Sequence, residues 1–289
     1  MTINLSTDES ADIGRFVRFM NHPQYPGKRA VILRSYPEIS DAIKAGMSDE
    51  DAVRKILSNL YHQKKDLIKK LLTEFEKELS DANDVIKSIG SIMDYDISDK
   101  EYYAILTFLP FGPITDDTFF FSIFSFVFFN ADGTPMKKSS IACSAVHEIS
   151  HFVFFDELRE WERIGNKSLS HPTEHYFKEA LTAALMNQNK FKDYFNYKSI
   201  NGSRDYPGNL ELHNLYIEED NIVDFFRGRL FNDGENFKEK LFSLMDIFYE
   251  NQDKFDEKWK LWNEWLSSSK EDRSFIAKEY SLPISLRQR

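Results

Sequence analysis

The chain has 289 residues, of which 42% are hydrophobic and 29% charged, a composition that suits one large or two modest globular domains and excludes a disordered chain. The formal net charge is -10, and the acidic residues are scattered along the chain, so we expect no nucleic-acid partner. The N-terminal segment has no basic region followed by an apolar run, and no stretch of about 18 apolar residues follows it. We therefore expect neither a signal peptide nor a membrane partner.

The chain contains a single cysteine, Cys143. One cysteine cannot form an internal disulfide or a thiolate cluster that would hold a metal. This cysteine usage is typical of a reducing compartment, and we expect a cytoplasmic protein.

The first hundred residues predict a mainly helical region. Ser6 to Glu9 form a capping-box pattern ahead of apolar residues near Phe16, which indicates the start of a helix. Ser48 supplies a second N-cap, and apolar residues at helical spacing continue from there to Leu79. This second pattern predicts an amphipathic helix or a pair of helices that pack on a core.

The composition changes near residue 100. Tyr102 to Leu109 and Thr118 to Phe129 are rich in aromatic and β-branched residues and flank the turn-rich Pro110 to Pro113, a pattern that predicts two neighbouring antiparallel strands. The pair Ser139 and Ser140 then predicts the N-terminus of a helix that runs to about Phe155. A further helix is expected at about 173–188, and amphipathic helices follow a loop after Phe191.

The predicted helix after Ser140 contains the motif His147-Glu148-Ile149-Ser150-His151. The spacing of four residues puts both imidazoles on one helix face, where two ring nitrogens can bind a single ion at about 2.0 to 2.1 Å. Glu148 can face a water beside the ion without acting as a ligand, which is the position of a general base. The uncharged neighbours of the motif favour a buried helix over a surface helix that carries two histidines.

At these residues the chain resembles the zincin metallopeptidases, and the resemblance implies one Zn²⁺ ion. The metzincin branch is excluded because Glu157 stands where its third histidine belongs. The gluzincin branch takes a glutamate from a later helix, and Glu179 is our candidate. Glu174, His175 and His171 are its rivals. Many gluzincins have an aspartate four residues after the ligand glutamate, whereas this chain has Ala183, so the partner that would orient a ligand histidine is unassigned.

The resemblance implies an α+β fold with a zincin-like core: a small antiparallel or mixed sheet, an active-site helix and a third-ligand helix. The core is expected at residues 101–190, between a mainly helical N-terminal region, 1–100, and a mainly helical C-terminal region, 191–289. Zincins commonly bind an extended peptide along the edge strand of the sheet. The run from Thr118 to Phe129 is the candidate for that strand.

The implied function is cleavage of peptide bonds in a peptide or protein by a zinc-activated water, with Glu148 as general base. Such sites add a hydrogen-bond donor for the developing oxyanion, and His213, Tyr206 and Tyr216 are candidates. Two other functions fit the same residues. One is a catalytically inactive zincin-like binding module, and the other is a metal hydrolase that acts on a non-peptide amide or ester.

Overall fold

The computed structural model describes residues 1–287 except 24–25, 130–134, 138–139, 198–204, 207, 232–235 and 269. Helices and a small mixed sheet form an α+β architecture, which is the fold class that the sequence predicts. The chain divides into two compact units, one of residues 1–86 and 97–148 and the other of residues 87–96 and 149–289. In the part of the chain that the structure describes, no helix has both the length and the apolar content required to cross a bilayer.

The first unit combines a four-stranded sheet, a two-stranded sheet and helices. In chain order its elements are β1 (Thr2–Thr7), α1 (Glu9–Asn21), α2 (Pro26–Ser35), α3 (Pro37–Lys44), α4 (Asp49–Gln63), α5 (Lys65–Asp81), the start of α6 (Asn83–Ile92), β2 (Glu101–Thr107), β3 (Ile114–Thr115), β4 (Thr118–Ser122), α7 (Ile123–Phe126), β5 (Val127–Phe129), β6 (Pro135–Lys137) and the start of α8 (Ile141–Gly165).

The helical patterns of the first hundred residues are confirmed, with one shift at the N-terminus. The N-cap of α1 is Asp8, whose carboxylate accepts a hydrogen bond from the Ala11 amide at 2.9 Å. The residues before it form the strand β1, which the sequence analysis does not predict. Ser48 caps α4 by accepting from the Asp51 amide at 3.1 Å, and the long amphipathic pattern is a helix pair, α4 and α5.

The main sheet has the strand order β1-β2-β4-β3. The strand β2 runs parallel to both β1 and β4, and only β3 and β4 are antiparallel. The expectation of two neighbouring antiparallel strands is therefore wrong. The chain reverses direction twice between β2 and β4, once in the loop around Pro110 and again between Thr115 and Thr118, where Asp116 adopts a φ of 45°. Because the chain reverses twice, β4 runs in the same direction as β2.

The predicted strand from Thr118 to Phe129 is shorter than expected and does not form an edge of the main sheet. The strand β4 ends at Ser122, and the short helix α7 and the strand β5 follow. The edge strands of the main sheet are β1 and β3. The run contains two serines, and β4 ends at the first of them, Ser122.

Asp12 joins α1 to the end of β2 in the core of the first unit. Its fully buried carboxylate accepts hydrogen bonds from the Phe108 amide at 2.9 Å, the Tyr61 hydroxyl at 3.1 Å, Arg15 at 3.3 Å and the Thr107 hydroxyl. Burial raises the pKa of Asp12 above its ordinary value, although these donors and the Arg15 charge act in the opposite direction. A buried carboxylate with this many donors fixes α1 on the sheet.

The described residues of the second unit form helices and one small two-stranded sheet. Its elements are the ends of α6 and α8, then α9 (His171–Met186), α10 (Asn189–Phe195), a short 3-10 helix (Leu210–Leu212), β7 (Tyr216–Ile217), β8 (Asp220–Asn221), α11 (Ile222–Leu230), α12 (Phe237–Glu250), α13 (Gln252–Ser267) and α14 (Lys270–Tyr280).

An aromatic cluster surrounds α9 in the core of this unit. The Phe177 ring lies 4.8 Å from the Phe226 ring and 4.9 Å from the Phe248 ring, centroid to centroid, and Phe248 stacks on Phe255 at 4.4 Å. All four side chains are fully buried. Since aromatic pairs at these distances add to the free energy gained by burial, they hold α9 firmly against α11, α12 and α13.

We expect the substitution Asp12→Ala to lower the free energy of unfolding by about 3 kcal/mol, because it leaves the Phe108 amide and two hydroxyls buried without an acceptor. Urea denaturation measures the change. Asp41→Ala is the control, because the Asp41 side chain is 75% exposed, and it should change stability by less than about 0.5 kcal/mol. Equal stability of the two variants would contradict the role given to Asp12.

Candidate metal centre

The motif lies on α8, which begins as the sequence predicts and extends further. Ser140 caps the helix by accepting from the Cys143 amide at 3.1 Å, while Ser139 lies outside the described residues. The helix continues past the predicted end near Phe155 to Gly165. Leu158 and Trp161 continue the buried face by one and two turns, which explains the extension.

His147, Glu148 and His151 form a cluster on this helix. One ring nitrogen of each histidine and one carboxylate oxygen of Glu148 all lie within 4.8 Å of one another. His147 and Glu148 are half-buried, whereas His151 is only 1% exposed. Imidazole and carboxylate are ligands that divalent transition metals accept, so the cluster could hold a metal ion.

The His151 ring is oriented by a pair of hydroxyls. Thr182 Oγ1 of α9 lies 3.1 Å from His151 Nδ1, and Ser150 Oγ lies 2.5 Å from Thr182 Oγ1. Metal binding at Nε2 requires the imidazole proton on Nδ1, and this hydroxyl pair can accept that proton in a hydrogen bond. A metal ligand histidine commonly donates its second ring N–H in this way, which fixes its tautomer and orientation.

Glu179 approaches the other nitrogen of the same ring. Its Oε1 lies 3.5 Å from His151 Nε2, and both side chains are almost completely buried. Two ligand atoms that share a tetrahedral ion at about 2.1 Å are separated by about 3.4 Å. The observed separation is compatible with an ion between these two atoms, but the group of ligand atoms that lie within 4.8 Å of one another consists of His147, Glu148 and His151 and does not include Glu179. Glu179 as a ligand stays a prediction.

Small residues lie near Glu179 on α9. Ala180, Ala183 and Ala184 are fully buried, α9 packs against α11 and α13, and Ala183 lies against Gly208. The side chains of Glu179 and Thr182, one helical turn apart, provide the contact with His151.

The rival ligands have other partners. His175 Nε2 lies 2.8 Å from Glu211 Oε1, and its ring lies 4.9 Å from Trp259. The ring of His171 also lies against Trp259, at 6.1 Å. Burial raises the pKa of Glu174 above its ordinary value. Glu179 stays the candidate because its carboxylate lies beside His151, and the pKa of Glu174 does not decide between Glu179 and Glu174.

Glu157, which stands where a metzincin would have its third histidine, lies in an ion pair. Its carboxylate is buried on α8, and its Oε2 lies 3.1 Å from Lys238 Nζ. Burial raises the pKa of Glu157, and Lys238 acts in the opposite direction. The pair joins α8 to α12.

The three candidates for the oxyanion donor lie after α9. The Tyr206 backbone exchanges two hydrogen bonds with the Asn187 side chain, at 2.7 and 3.2 Å. His213 is exposed at the end of the 3-10 helix, and Tyr216 lies in β7. These placements do not select a donor, and the role stays a prediction for each residue.

Ser150 and Thr182 are the site residues that the sequence analysis misses. A rule that looks for an aspartate four residues after Glu179 finds Ala183, whereas the hydroxyl that contacts His151 is three residues after Glu179. Helical spacing of three or four residues keeps side chains on one face. A search for any hydrogen-bonding side chain on the same helix face as Glu179 therefore finds Thr182.

A scan against protein-family models, a search of curated proteins and a search of solved structures each found no match for this chain. The zincin resemblance therefore rests on the motif that contains His147, Glu148 and His151.

We expect Thr182→Val to weaken metal binding by about 10- to 100-fold, because His151 Nδ1 loses its oxygen partner while the side-chain volume is kept. Competition with a chromophoric chelator measures the dissociation constant. Thr173→Val is the matched control, since Thr173 is equally buried on α9 and its hydroxyl contacts Ser170. Unchanged metal affinity in Thr182→Val would show that Thr182 does not orient a ligand.

Proposed function

We propose that this chain is a zinc-dependent hydrolase that cleaves peptide bonds, with His147, His151 and Glu179 as ligands and Glu148 as general base. The observation that carries the proposal is the setting of His151. Its ring lies between Thr182 at Nδ1 and Glu179 at Nε2, on the same helix face as His147. Two histidines exposed on a helix surface would need neither a hydroxyl at one ring nitrogen nor a carboxylate at the other.

The donor set supports zinc as the ion. Two imidazoles and one carboxylate form a known catalytic zinc ligand set, which leaves a fourth position open. Ca²⁺ and Mg²⁺ prefer sites made of oxygen ligands.

Zinc, when bound, would act as a Lewis acid that polarises the scissile carbonyl and lowers the pKa of the attacking water. Glu148 would accept the proton of that water and pass it to the leaving amine. With an ion at Nε2, the His151 proton would lie on Nδ1, where Thr182 Oγ1 can accept it and so orient the ring.

The substrate class and location come from the sequence. Peptide is the substrate that the zincin resemblance implies, and the fold gives no reason to assign Thr118 to Phe129 as the strand that binds it. A cytoplasmic location is supported by the single cysteine.

We expect Glu148→Gln to retain one zinc ion per chain and to lose at least about 100-fold in the rate of peptide cleavage, because the amide cannot accept the proton. His147→Ala should lose the ion itself. Elemental analysis of the purified variants and mass spectrometry of a peptide library measure the two effects.

Glu162→Gln on the same helix is the control for Glu148→Gln and should match the wild type in both measurements. A wild-type chain without stoichiometric zinc would refute the metal site. A Glu148→Gln variant with undiminished cleavage would refute the mechanism.

A further inference from the structure

A second cation competes for the carboxylate that would bind the metal. The Lys178 ammonium donates a hydrogen bond to Glu179 Oε1, the same oxygen that lies 3.5 Å from His151 Nε2. The Lys178 side chain is only 15% exposed. Because water screens such a charge weakly, its effect on a neighbouring ion is larger than that of a surface lysine.

One carboxylate oxygen cannot serve both cations equally well. A divalent ion that binds between His151 and Glu179 would lie close to the ammonium, and the two positive charges would repel each other. The ammonium and the ion would also share the electron density of a single oxygen. Metal binding at Oε1 would weaken or displace the Lys178 contact, and metal binding at Oε2, which is also buried, would still bring the two positive charges to one carboxylate.

We propose, on the basis of the proposed zinc site, that Lys178 sets the metal affinity of the site by competing with the ion for Glu179. This function differs from that of Thr182, which favours metal binding by orienting His151. Two neighbouring side chains on α9 would then act in opposite directions on one equilibrium. The result is a site that binds its ion less tightly than its three ligands would allow.

Glu174 offers the displaced ammonium a second partner. It precedes Lys178 by four residues on α9, and residues with this spacing are neighbours on a helix surface. The Lys178 charge already acts on the Glu174 carboxyl, whose pKa it lowers against the larger effect of burial. Lys178 can therefore move from Glu179 to Glu174 when Glu179 binds the ion.

The test is the zinc dissociation constant of the full-length chain, measured by chelator competition for the wild type and for Lys178→Met. Methionine keeps most of the side-chain volume and removes the charge. We expect the dissociation constant to fall at least tenfold, and we expect zinc to raise the melting temperature of this variant more than that of the wild type. Circular dichroism verifies that Lys178→Met is folded. If it is not, Lys178→Gln is measured instead.

Two controls separate the local charge from other effects. Lys178→Arg keeps a cation beside Glu179 and should bind zinc within about threefold of the wild type. Lys190→Met removes an exposed lysine of α10 and should also stay within about threefold, since an exposed charge is screened.

The outcomes distinguish this inference from the proposed function. If the wild type binds no zinc, both are refuted. If the wild type binds zinc and Lys178→Met binds it equally well or more weakly, the competition is refuted while the metal site stands.

The role of Glu174 is tested in two backgrounds. Glu174→Gln should weaken zinc binding at least threefold when Lys178 is present, because the ammonium loses its alternative partner, and should have less effect in Lys178→Met. If Glu174→Gln weakened zinc binding equally with Lys178 present and in Lys178→Met, Glu174 would act independently of Lys178. The transfer of the ammonium to Glu174 would then be refuted.

Discussion

The candidate site depends on the orientation of the His151 ring. An imidazole can bind a metal only if its lone pair points at the ion and its proton lies on the other nitrogen. In this chain α9 contacts both nitrogens, through Thr182 at Nδ1 and through Glu179 at Nε2. The two contacts come from adjacent turns of a single helix, so one packing arrangement sets the ring orientation and places the third candidate ligand.

The aromatic core of the second unit supports that arrangement. Phe177 is buried among Phe226 and Phe248, and its ring stacks on Phe154 of α8 at 5.3 Å. Phe177 precedes Glu179 by two residues, and Phe154 follows His151 by three. Packing of these rings therefore positions the two helices close to the residues that would bind the ion. The polar contacts have little freedom because the apolar contacts beside them are tight.

The sequence was most informative where a local pattern determines structure. Ser48 and Ser140 start helices as expected because an N-cap acts within three residues, and the four-residue spacing places His147 and His151 on one helix face. The strand β1 and the parallel direction of β4 depend on pairing with β2, whose register joins Thr2 to Glu101. A pairing across so many residues leaves no local periodicity from which it could be predicted. The family pattern does not find Thr182, because it places the orienting residue at the position of Ala183.

The account is tested most directly by X-ray absorption at the zinc edge, on purified full-length protein loaded with one equivalent of zinc. It predicts a shell of nitrogen and oxygen ligands at about 2.0 to 2.1 Å, with the multiple scattering of two imidazoles. A sulfur ligand at about 2.3 Å, which only Cys143 or a methionine could supply, or a spectrum without imidazole scattering would contradict it.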